Sequence, residues 1–359
     1  PVFPPQEDNI SYGISTNDTQ ELRYFSIPTP GQANSGEYEG IVEDTKFSID
    51  RGIYDEAFDL SITSATLGAI IRYTLDGSTP SEVQGTIYTG PLLIDKTSVV
   101  RAVAYKTGFR TTDVDTQTYI FIADVITQPT MLTSITESPI YGPMMEDALT
   151  AIPTISIVTP NTINQGAEVK TSIEMIFPDG TKGFHVDTGI KIVGGASVGF
   201  PKNSMRLYFR SKYGYGKLKY PLFEGHPYSE DGPVEEFDQL TLRSSHDSVF
   251  YLGASGQYLR NRWISDMQFR MGQISLHGRF AHVYINGVYW GHYHIVERQN
   301  DEFFAGYLGG DQDDYEAVNA SRQIGSNPLT MWAHIKASLA DYEEEKRIVD
   351  LNNLADYML

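Results

Sequence analysis

Short runs of alternating hydrophobic and polar residues occupy the segment 45–122. Phe58, Leu60 and Ile62 alternate with polar residues, which is the period of a half-buried strand. Turn-forming residues at 76–80 and an apolar run at 99–104 continue the series of short strands. Because the strands recur at regular spacing without a helical period, this segment is predicted to form a small all-β sandwich.

The longer second part of the chain carries more extended strand patterns. Alternating residues at 172–177, 189–193 and 204–210 predict a multistranded, mostly antiparallel sheet. Two further apolar runs flank Asn286 and Gly287, the residue pair preferred in a type I′ turn. We therefore expect a hairpin over about residues 281–294.

Two helical patterns accompany this sheet. The first has an apolar residue at every fourth position, at Leu259, Trp263, Met267 and Met271. This spacing predicts a helix over about residues 258–271 that buries those four side chains. A second helix is predicted to begin near Asn327, because a proline follows it at the first helical position.

The N-terminal residues 1–40 are rich in Pro, Asn, Ser and Thr and show little periodicity. Residues 24–34 resemble the closing segment of bacterial lamin-tail-like domains, which are immunoglobulin-like sandwiches. An ordinary extended linker explains the same residues, since both prolines in this stretch favour extended backbone before them. Both interpretations stay open.

Three segments of the predicted sandwich, at 72–80, 88–91 and 101–105, are similar in order to the C-terminal domain of chitobiase and β-hexosaminidase. The resemblance implies a non-catalytic accessory sandwich over residues 41–123, with a glycan as one partner that it leaves open. Asp76 is interpreted as a turn former and not as a metal ligand.

Composition narrows the classes of function. The 359 residues include 27 Lys and Arg against 46 Asp and Glu, a formal net charge of −19. This balance excludes the basic footprint of a nucleic-acid-binding protein, and no apolar run approaches the ~18–20 residues that span a bilayer. The absence of cysteine excludes disulfides, a cysteine nucleophile and thiolate metal sites. Since residues 351–358 continue an apolar helical pattern without a stop signal, we expect a piece of a longer protein.

Several segments between residues 141 and 320 follow the order and spacing of the spore-coat CotH kinase family. They include residues 189–195, 201–209, 242–247, 284–291 and 313–315. The resemblance implies that residues 124–359 form an α+β kinase-like N-lobe, mostly antiparallel sheet plus helices, followed by an incomplete C-lobe. It also implies ATP with Mg or Mn as cofactors, a Ser or Thr acceptor on a partner protein, and a secreted or surface location in a bacterium.

A kinase needs a cation over the phosphates, and the resemblance directs attention to one set of residues. The candidates for nucleotide contact are Gly194, Gly195, Ser197, Lys202, Arg206, Asp266 and Glu297. The glycine-rich stretch is either a phosphate-binding loop or an ordinary hairpin turn. Lys202 or Arg206 is either the phosphate-binding cation or a solvated strand residue.

The two acidic candidates also have alternative explanations. Asp266 is either the partner of that cation or a member of local helix pairs with Arg262 and Arg270. Glu297 precedes the segment where a hinge between lobes is expected, and it equally fits an anchor for the next helix.

No catalytic residue can be named. The one His-x-Asp sequence, at His185 and Asp187, has Ile192 where a kinase catalytic loop has Asn, and it lies in a predicted strand. By the resemblance, the catalytic and metal-binding aspartates are expected beyond Leu359. The catalytic residues therefore stay unknown.

Two further groups of residues invite a metal interpretation. Pairing around the Asn-Gly turn predicts that His282 lies on the opposite face of the hairpin from His292 and His294, so no zinc site is predicted. The acidic segment 311–316 lacks the glycine and the distant glutamate of a calcium loop and is interpreted as a solvated turn.

Two hypotheses follow. The first is the N-terminal part of a CotH-like protein kinase behind an accessory sandwich, with a protein substrate or surface-layer partner. The second is a non-catalytic surface, adhesion or carbohydrate-associated module in which the kinase-like region is a scaffold.

Overall fold

The computed structural model describes residues 10–18, 21–27, 29–200, 202–226, 232–245, 257–319, 322–323, 329–330 and 333. The chain divides into two compact units. The first comprises Pro1–Ile190 and Phe280–Tyr293, and the second comprises Lys191–Arg279 and His294–Leu359. Most of the regular structure in both units is β-strand.

Up to Ile176, the described residues form sixteen strands and three short α-helices. The strands are β1 (Ser11–Ile14), β2 (Leu22–Ile27), β3 (Ser35–Tyr38), β4 (Gly40–Ile41), β5 (Lys46–Phe47), β6 (Gly52–Ile53), β7 (Phe58–Leu60), β8 (Ile62–Thr63), β9 (Ile70–Thr74), β10 (Thr86–Ile87), β11 (Leu92–Ile94), β12 (Ser98–Tyr105), β13 (Phe109–Arg110), β14 (Asp115–Ile120), β15 (Thr154–Val158) and β16 (Val169–Ile176). The helices are α1 (Ile122–Ile126), α2 (Thr133–Thr136) and α3 (Met145–Thr150).

The rest of the described chain contains nine strands and two longer helices. The strands are β17 (His185–Val193), β18 (Ser204–Tyr208), β19 (Leu218–Lys219), β20 (Glu236–Phe237), β21 (Gln239–Arg243), β22 (Gly278–Ile285), β23 (Val288–Val296), β24 (Val318–Asn319) and β25 (Arg322–Gln323). The helices are α4 (Arg260–Arg270) and α5 (Asp301–Leu308).

The N-terminal stretch forms a three-stranded antiparallel sheet in the order β1-β2-β3. Tyr24 pairs with both Tyr12 and Tyr38, and Phe25 is fully buried. Part of the stretch is therefore regular sheet although its sequence lacks a clear period. The boundaries of the three domains predicted from sequence stay predictions.

The predicted strands of residues 45–122 form a β-rich domain. Its main sheet has the order β10-β9-β12-β14-β6, and it buries a core that includes Leu60, Val100 and Tyr119. The predicted turn follows β9, where Asp76 accepts hydrogen bonds from the backbone and side chain of Ser78. These bonds confirm the role of Asp76 as a turn former, and they lower the pKa of its carboxyl.

The first unit continues beyond this domain into β15 and β16. These two strands pair antiparallel, β16 also pairs with β17, and β22 pairs in parallel with β15. Glu174 of β16 is fully buried and accepts hydrogen bonds from the backbone N–H and hydroxyl of Thr118 in β14. A buried carboxylate thus joins strand β16 to the preceding β-rich domain.

In the second unit, β18 pairs with β21 and β21 pairs with β23. Alternate residues of these strands form a buried face that contains Met205, Leu242 and Ile295. The opposite face carries Arg206 and Thr241, which are half-buried.

Helix α4 forms where the sequence predicts it, but the prediction of its buried face is wrong. Leu259, Trp263 and Met271 are largely exposed, and Arg262 is the buried residue of the helix. Arg262 can be buried because its Nε donates a 2.7 Å hydrogen bond to Asp266 one turn later. The pair neutralises charge within the helix, which apolar spacing alone does not reveal.

The predicted hairpin forms between β22 and β23, with Asn286 at φ 49° and Gly287 at φ 79°. The predicted separation of the histidines is wrong, because the rings of His282 and His292 lie with their centroids 6.3 Å apart. Directly before His292 in β23, Gly291 has φ 121°, a backbone conformation that favours glycine.

The helix predicted from Asn327 lies largely outside the described residues, although Thr330 and Ala333 are helical. Within the described part of the chain, no helix has both the length and the apolar character to cross a membrane.

Candidate anion-binding site

Strand register gathers several cations on the half-buried face of the second unit. Arg206 of β18 stands opposite Thr241 of β21, and Thr241 stands opposite Val296 of β23. Residues that oppose each other directly point to the same face, and so does the residue two positions further along an extended strand. Arg298 therefore follows Val296 on the face that carries Arg206.

Tyr208 lies at the centre of these cations. Lys191 Nζ lies 5.1 Å and Arg210 Cζ 5.2 Å from the centroid of its ring, which are cation–π distances. Tyr208 also interacts electrostatically with Arg298. We call Lys191, Arg206, Tyr208, Arg210 and Arg298 the Tyr208 cluster.

Two guanidinium groups of the Tyr208 cluster, those of Arg206 and Arg298, carry like charges on one face of the sheet. Burial, and after it the charge of Arg206, lower the pKa of Arg298 to about 10. The Nε atoms of Arg206 and Arg298 are both buried without a hydrogen-bond partner among the described residues. Buried donors without partners and mutually repelling cations are the features that a bound anion would relieve.

The Tyr208 cluster is positively charged although the chain as a whole is acidic. The chain as a whole carries a net charge of −19. Nevertheless, no carboxylate in the described ranges forms a hydrogen bond or ion pair with Lys191, Arg206 or Arg298. The arrangement therefore fits a multiply charged anion better than a structural ion pair.

A cavity of about 500 Å³ adjoins Arg298 within the same unit. Asp238, Glu302, Lys217 and Phe303 are among the residues that line it. Burial, followed by the neighbouring Glu302, raises the pKa of Asp238 to about 6. Lys217 forms an ion pair with Glu302, so the two carboxyl groups differ in their surroundings.

The glycine candidates lie between β17 and β18. Gly194 has φ 144°, a conformation that favours glycine, and a side chain at Gly195 would meet open space. Ser197 belongs to a short 3₁₀ turn over Ala196–Gly199, and its side chain lies outside the described residues. No described contact joins these residues to the Tyr208 cluster, so their phosphate role stays a prediction.

Lys202 does not share the position of Arg206. Its ammonium group lies 5.3 Å from the ring centroid of Tyr258, and burial lowers its pKa to about 8. Lys202 lies in a bend before β18 begins at Ser204, whereas Arg206 lies within that strand. Of the two cations, the structure brings Arg206 to the cluster.

Asp266 forms the local helix pair with Arg262, one of the two alternatives that the sequence leaves open. Its carboxylate accepts a hydrogen bond from Arg262 and lies 3.3 Å from Nε2 of His226. This confirms the local pair with Arg262 that the sequence predicts as one alternative. A role for Asp266 in nucleotide binding stays a prediction.

Glu297 is buried and held by side chains of the same unit. Its Oε2 accepts a 2.7 Å hydrogen bond from the backbone N–H of His277 and lies 2.9 Å from Nδ1 of the same residue. Its Oε1 accepts a hydrogen bond from the hydroxyl of Tyr307 in α5. The side chain therefore anchors the segment that leads into α5.

Sequence reasoning did not select Lys191, Tyr208, Arg210 or Arg298. Their meeting depends on strand register, which a single sequence does not determine. The available signal is the position of Arg298 in the polar break after an apolar strand, directly beside the candidate Glu297.

A metal site is not assigned. In the described part of the chain, no group of three or more His, Asp or Glu residues is arranged to hold a metal ion. The Mg or Mn implied by the resemblance therefore has no identified ligand.

The fold and this surface define a mostly β protein of two units, one of which carries a cationic cluster suited to an anion. Residues 190–358 match the family model described as CotH kinase protein, and residues 60–119 match the one described as Fn3 associated. The chain therefore contains a CotH family domain and an Fn3-associated β domain. These matches do not confirm the chitobiase-like and lamin-tail-like details. A comparison with curated proteins found no match.

Proposed function

We propose that the CotH domain binds the polyphosphate of ATP at the Tyr208 cluster and belongs to an ATP-dependent Ser/Thr protein kinase. The observation that carries the proposal is the pair Arg206 and Arg298, which the strand register places on one face and whose buried Nε donors have no hydrogen-bond partner among the described residues. Phosphate oxygens accept hydrogen bonds from guanidinium groups in bidentate geometry.

Charge favours a polyphosphate over a single carboxylate ligand. Lys191, Arg206, Arg210 and Arg298 supply four positive charges around one tyrosine. The triphosphate of ATP carries about four negative charges at neutral pH, and phosphoryl transfer depends mainly on neutralising and positioning this charge. Binding ATP would therefore remove the repulsion within the cluster.

The adjoining cavity is proposed to receive the nucleoside. Its carboxylates, Asp238 and Glu302, are suited to accept hydrogen bonds from ribose hydroxyls, and the ring of Phe303 offers an apolar surface. Arg298 lines the cavity and also belongs to the Tyr208 cluster, so a single ligand could reach both.

The chemical step itself is proposed only at the level of the reaction class. Mg or Mn would supply charge neutralisation at the phosphates when bound, and the base that orients the acceptor hydroxyl is not identified. The protein substrate, the surface-layer partner and the secreted or surface location stay predictions from the family resemblance.

Isothermal titration calorimetry of the chain with ATP, with and without Mg²⁺, tests the proposal. Arg206→Gln and Arg298→Gln should each weaken ATP binding about 10–100-fold, the cost of about 1.5–3 kcal/mol for a charged hydrogen bond. Adenosine affinity should change little in Arg206→Gln, because Arg206 is not among the residues that line the cavity. Arg270→Gln, the same substitution at an exposed site on α4, controls for the loss of one positive charge.

The result that would overturn the proposal is a chain that does not bind ATP, or one whose ATP affinity is unchanged by both cluster substitutions. In that case the second hypothesis, a non-catalytic surface or carbohydrate-associated module, would be preferred.

A further inference from the structure

The buried carboxylate of Glu297 is held by three donors on two elements. The backbone N–H and the Nδ1 atom of His277 contact one oxygen, and the hydroxyl of Tyr307 donates to the other. The Tyr307 hydroxyl in turn accepts a 3.1 Å hydrogen bond from the backbone N–H of Val234. Glu297 is 3 % exposed and His277 1 % exposed. We call Glu297, His277 and Tyr307 the Glu297 anchor.

The Glu297 anchor fixes the backbone immediately before Arg298. The Glu297 N–H donates a 3.3 Å hydrogen bond to the His277 carbonyl, which continues the strand pairing past the end of β23. Because successive residues of extended backbone point to opposite faces, the buried direction of Glu297 sends Arg298 toward Arg206. The anchor therefore determines which face receives this guanidinium group.

The other end of the same short segment is fixed as well. Asn300 caps α5 by accepting a 3.1 Å hydrogen bond from the Phe303 N–H, and its Nδ2 lies 3.4 Å from Asp238. Hydrogen bonds therefore fix both ends of the segment 297–300, at Glu297 and at Asn300. A segment fixed at both ends can keep Arg298 on the face of Arg206 although the two charges repel each other.

We propose that the hydroxyl of Tyr307 is a positioning group for Arg298, acting through the carboxylate of Glu297. The proposal rests on the proposed function, since Arg298 is taken to bind phosphate.

The test uses inorganic triphosphate as the probe, because it reports the phosphate site without contributions from the nucleoside cavity. Tyr307→Phe removes only the hydroxyl and should weaken triphosphate binding about three- to tenfold. Tyr315→Phe removes a hydroxyl that donates to the Gly309 carbonyl at the end of α5, and it should leave the affinity unchanged. Thermal unfolding establishes that each variant is folded at the temperature of the titration.

A double-mutant cycle separates positioning from general damage. If Tyr307 acts through Arg298, adding Tyr307→Phe to Arg298→Gln should cause no further loss of affinity. Equal losses in both backgrounds, or an unchanged affinity in Tyr307→Phe alone, would overturn the inference. If Tyr307→Phe does not fold, Glu297→Gln takes its place in the same cycle.

The outcomes also distinguish the inference from the function on which it rests. Triphosphate binding by the wild-type chain that is lost in Arg206→Gln but unchanged in Tyr307→Phe would overturn only the role of Tyr307. No triphosphate binding by the wild-type chain would overturn both.

Discussion

Asp238 is a buried carboxyl group whose protonation should affect stability near neutral pH. Its pKa of about 6 in the folded chain lies above the ordinary value of 3.8, because burial and Glu302 disfavour its charge. The folded state therefore holds the proton more tightly than the unfolded state. The contribution of this group to stability should be constant below about pH 4, fall between about pH 4 and 6, and stay low above that range.

Asp238→Asn should consequently stabilise the chain at pH 7.5 and have little effect at pH 4. The neutral amide keeps an oxygen for the hydrogen bonds from Gln239 and Asn300 and removes the buried charge. We expect a gain of roughly 1–3 kcal/mol in the free energy of unfolding at pH 7.5, measured by urea denaturation without ligand. The same change at exposed Asp313 controls for the loss of one negative charge. A gain independent of pH would contradict this explanation.

Individual residues also show which structural features can be predicted from the sequence. The alternation of Arg206 with Met205 and Leu207 predicts that Arg206 faces away from the core, and the structure confirms it. The turn role of Asp76 is also confirmed, because turn chemistry is local. The approach of Arg298 to Arg206 joins residues 92 positions apart through two strand pairings, and no local rule predicts it.

For the hairpin and helix α4, the sequence likewise predicts the features that depend on neighbouring residues and misses those that depend on tertiary contacts. The turn residues Asn286 and Gly287 and the apolar runs beside them predict the hairpin, because its type I′ turn requires positive φ at both positions. The extent of α4 is predicted to within two residues at each end. The prediction of which side of α4 is buried is wrong, because the buried residue, Arg262, forms an ion pair with Asp266. In the sequence, such a charged pair resembles a solvent-exposed face.

The orientation of α4 gives a direct prediction from paired substitutions. Arg262→Ala should destabilise the chain by about 2–4 kcal/mol, since Asp266 loses its hydrogen-bonded cation in a largely buried setting. Trp263→Ala at the adjacent position should cost less than about 1 kcal/mol, because this side chain is 61 % exposed. Urea denaturation of both variants measures the difference. A larger cost for Trp263→Ala would support the face predicted from sequence instead.

At the scale of the whole molecule, residues 120–189 lie between the two family matches. In the first unit, this stretch contributes strands β15 and β16, which contact the Fn3-associated domain. Glu174 receives two hydrogen bonds from Thr118 and lies 3.3 Å from Nη1 of Arg51. Ser156 of β15 completes the contact, with its hydroxyl 2.7 Å from that of Thr118. Strands β15 and β16 are therefore expected to unfold together with the Fn3-associated domain.

Glu174→Ala tests this cooperation. The substitution leaves the Thr118 N–H and the cation of Arg51 without their buried acceptor, so we expect a loss of about 3–5 kcal/mol in the free energy of unfolding. Glu174→Gln should cost less, because its amide oxygen still accepts from Thr118. Lys170→Ala on the same strand removes an exposed cation that forms an ion pair with half-buried Asp187, and it should cost no more than about 1 kcal/mol.

Amide hydrogen exchange then shows whether the strands open together. In Glu174→Ala, exchange should accelerate to a similar extent in β14 and in β16, because the lost acceptor connects them. Lys170→Ala should leave the exchange of β14 unchanged. Faster exchange in β16 with full protection of β14 would mean that the Fn3-associated domain folds independently of the strands that follow it. The buried carboxylate would then be a local feature of β16 and not the link between the two parts of the first unit.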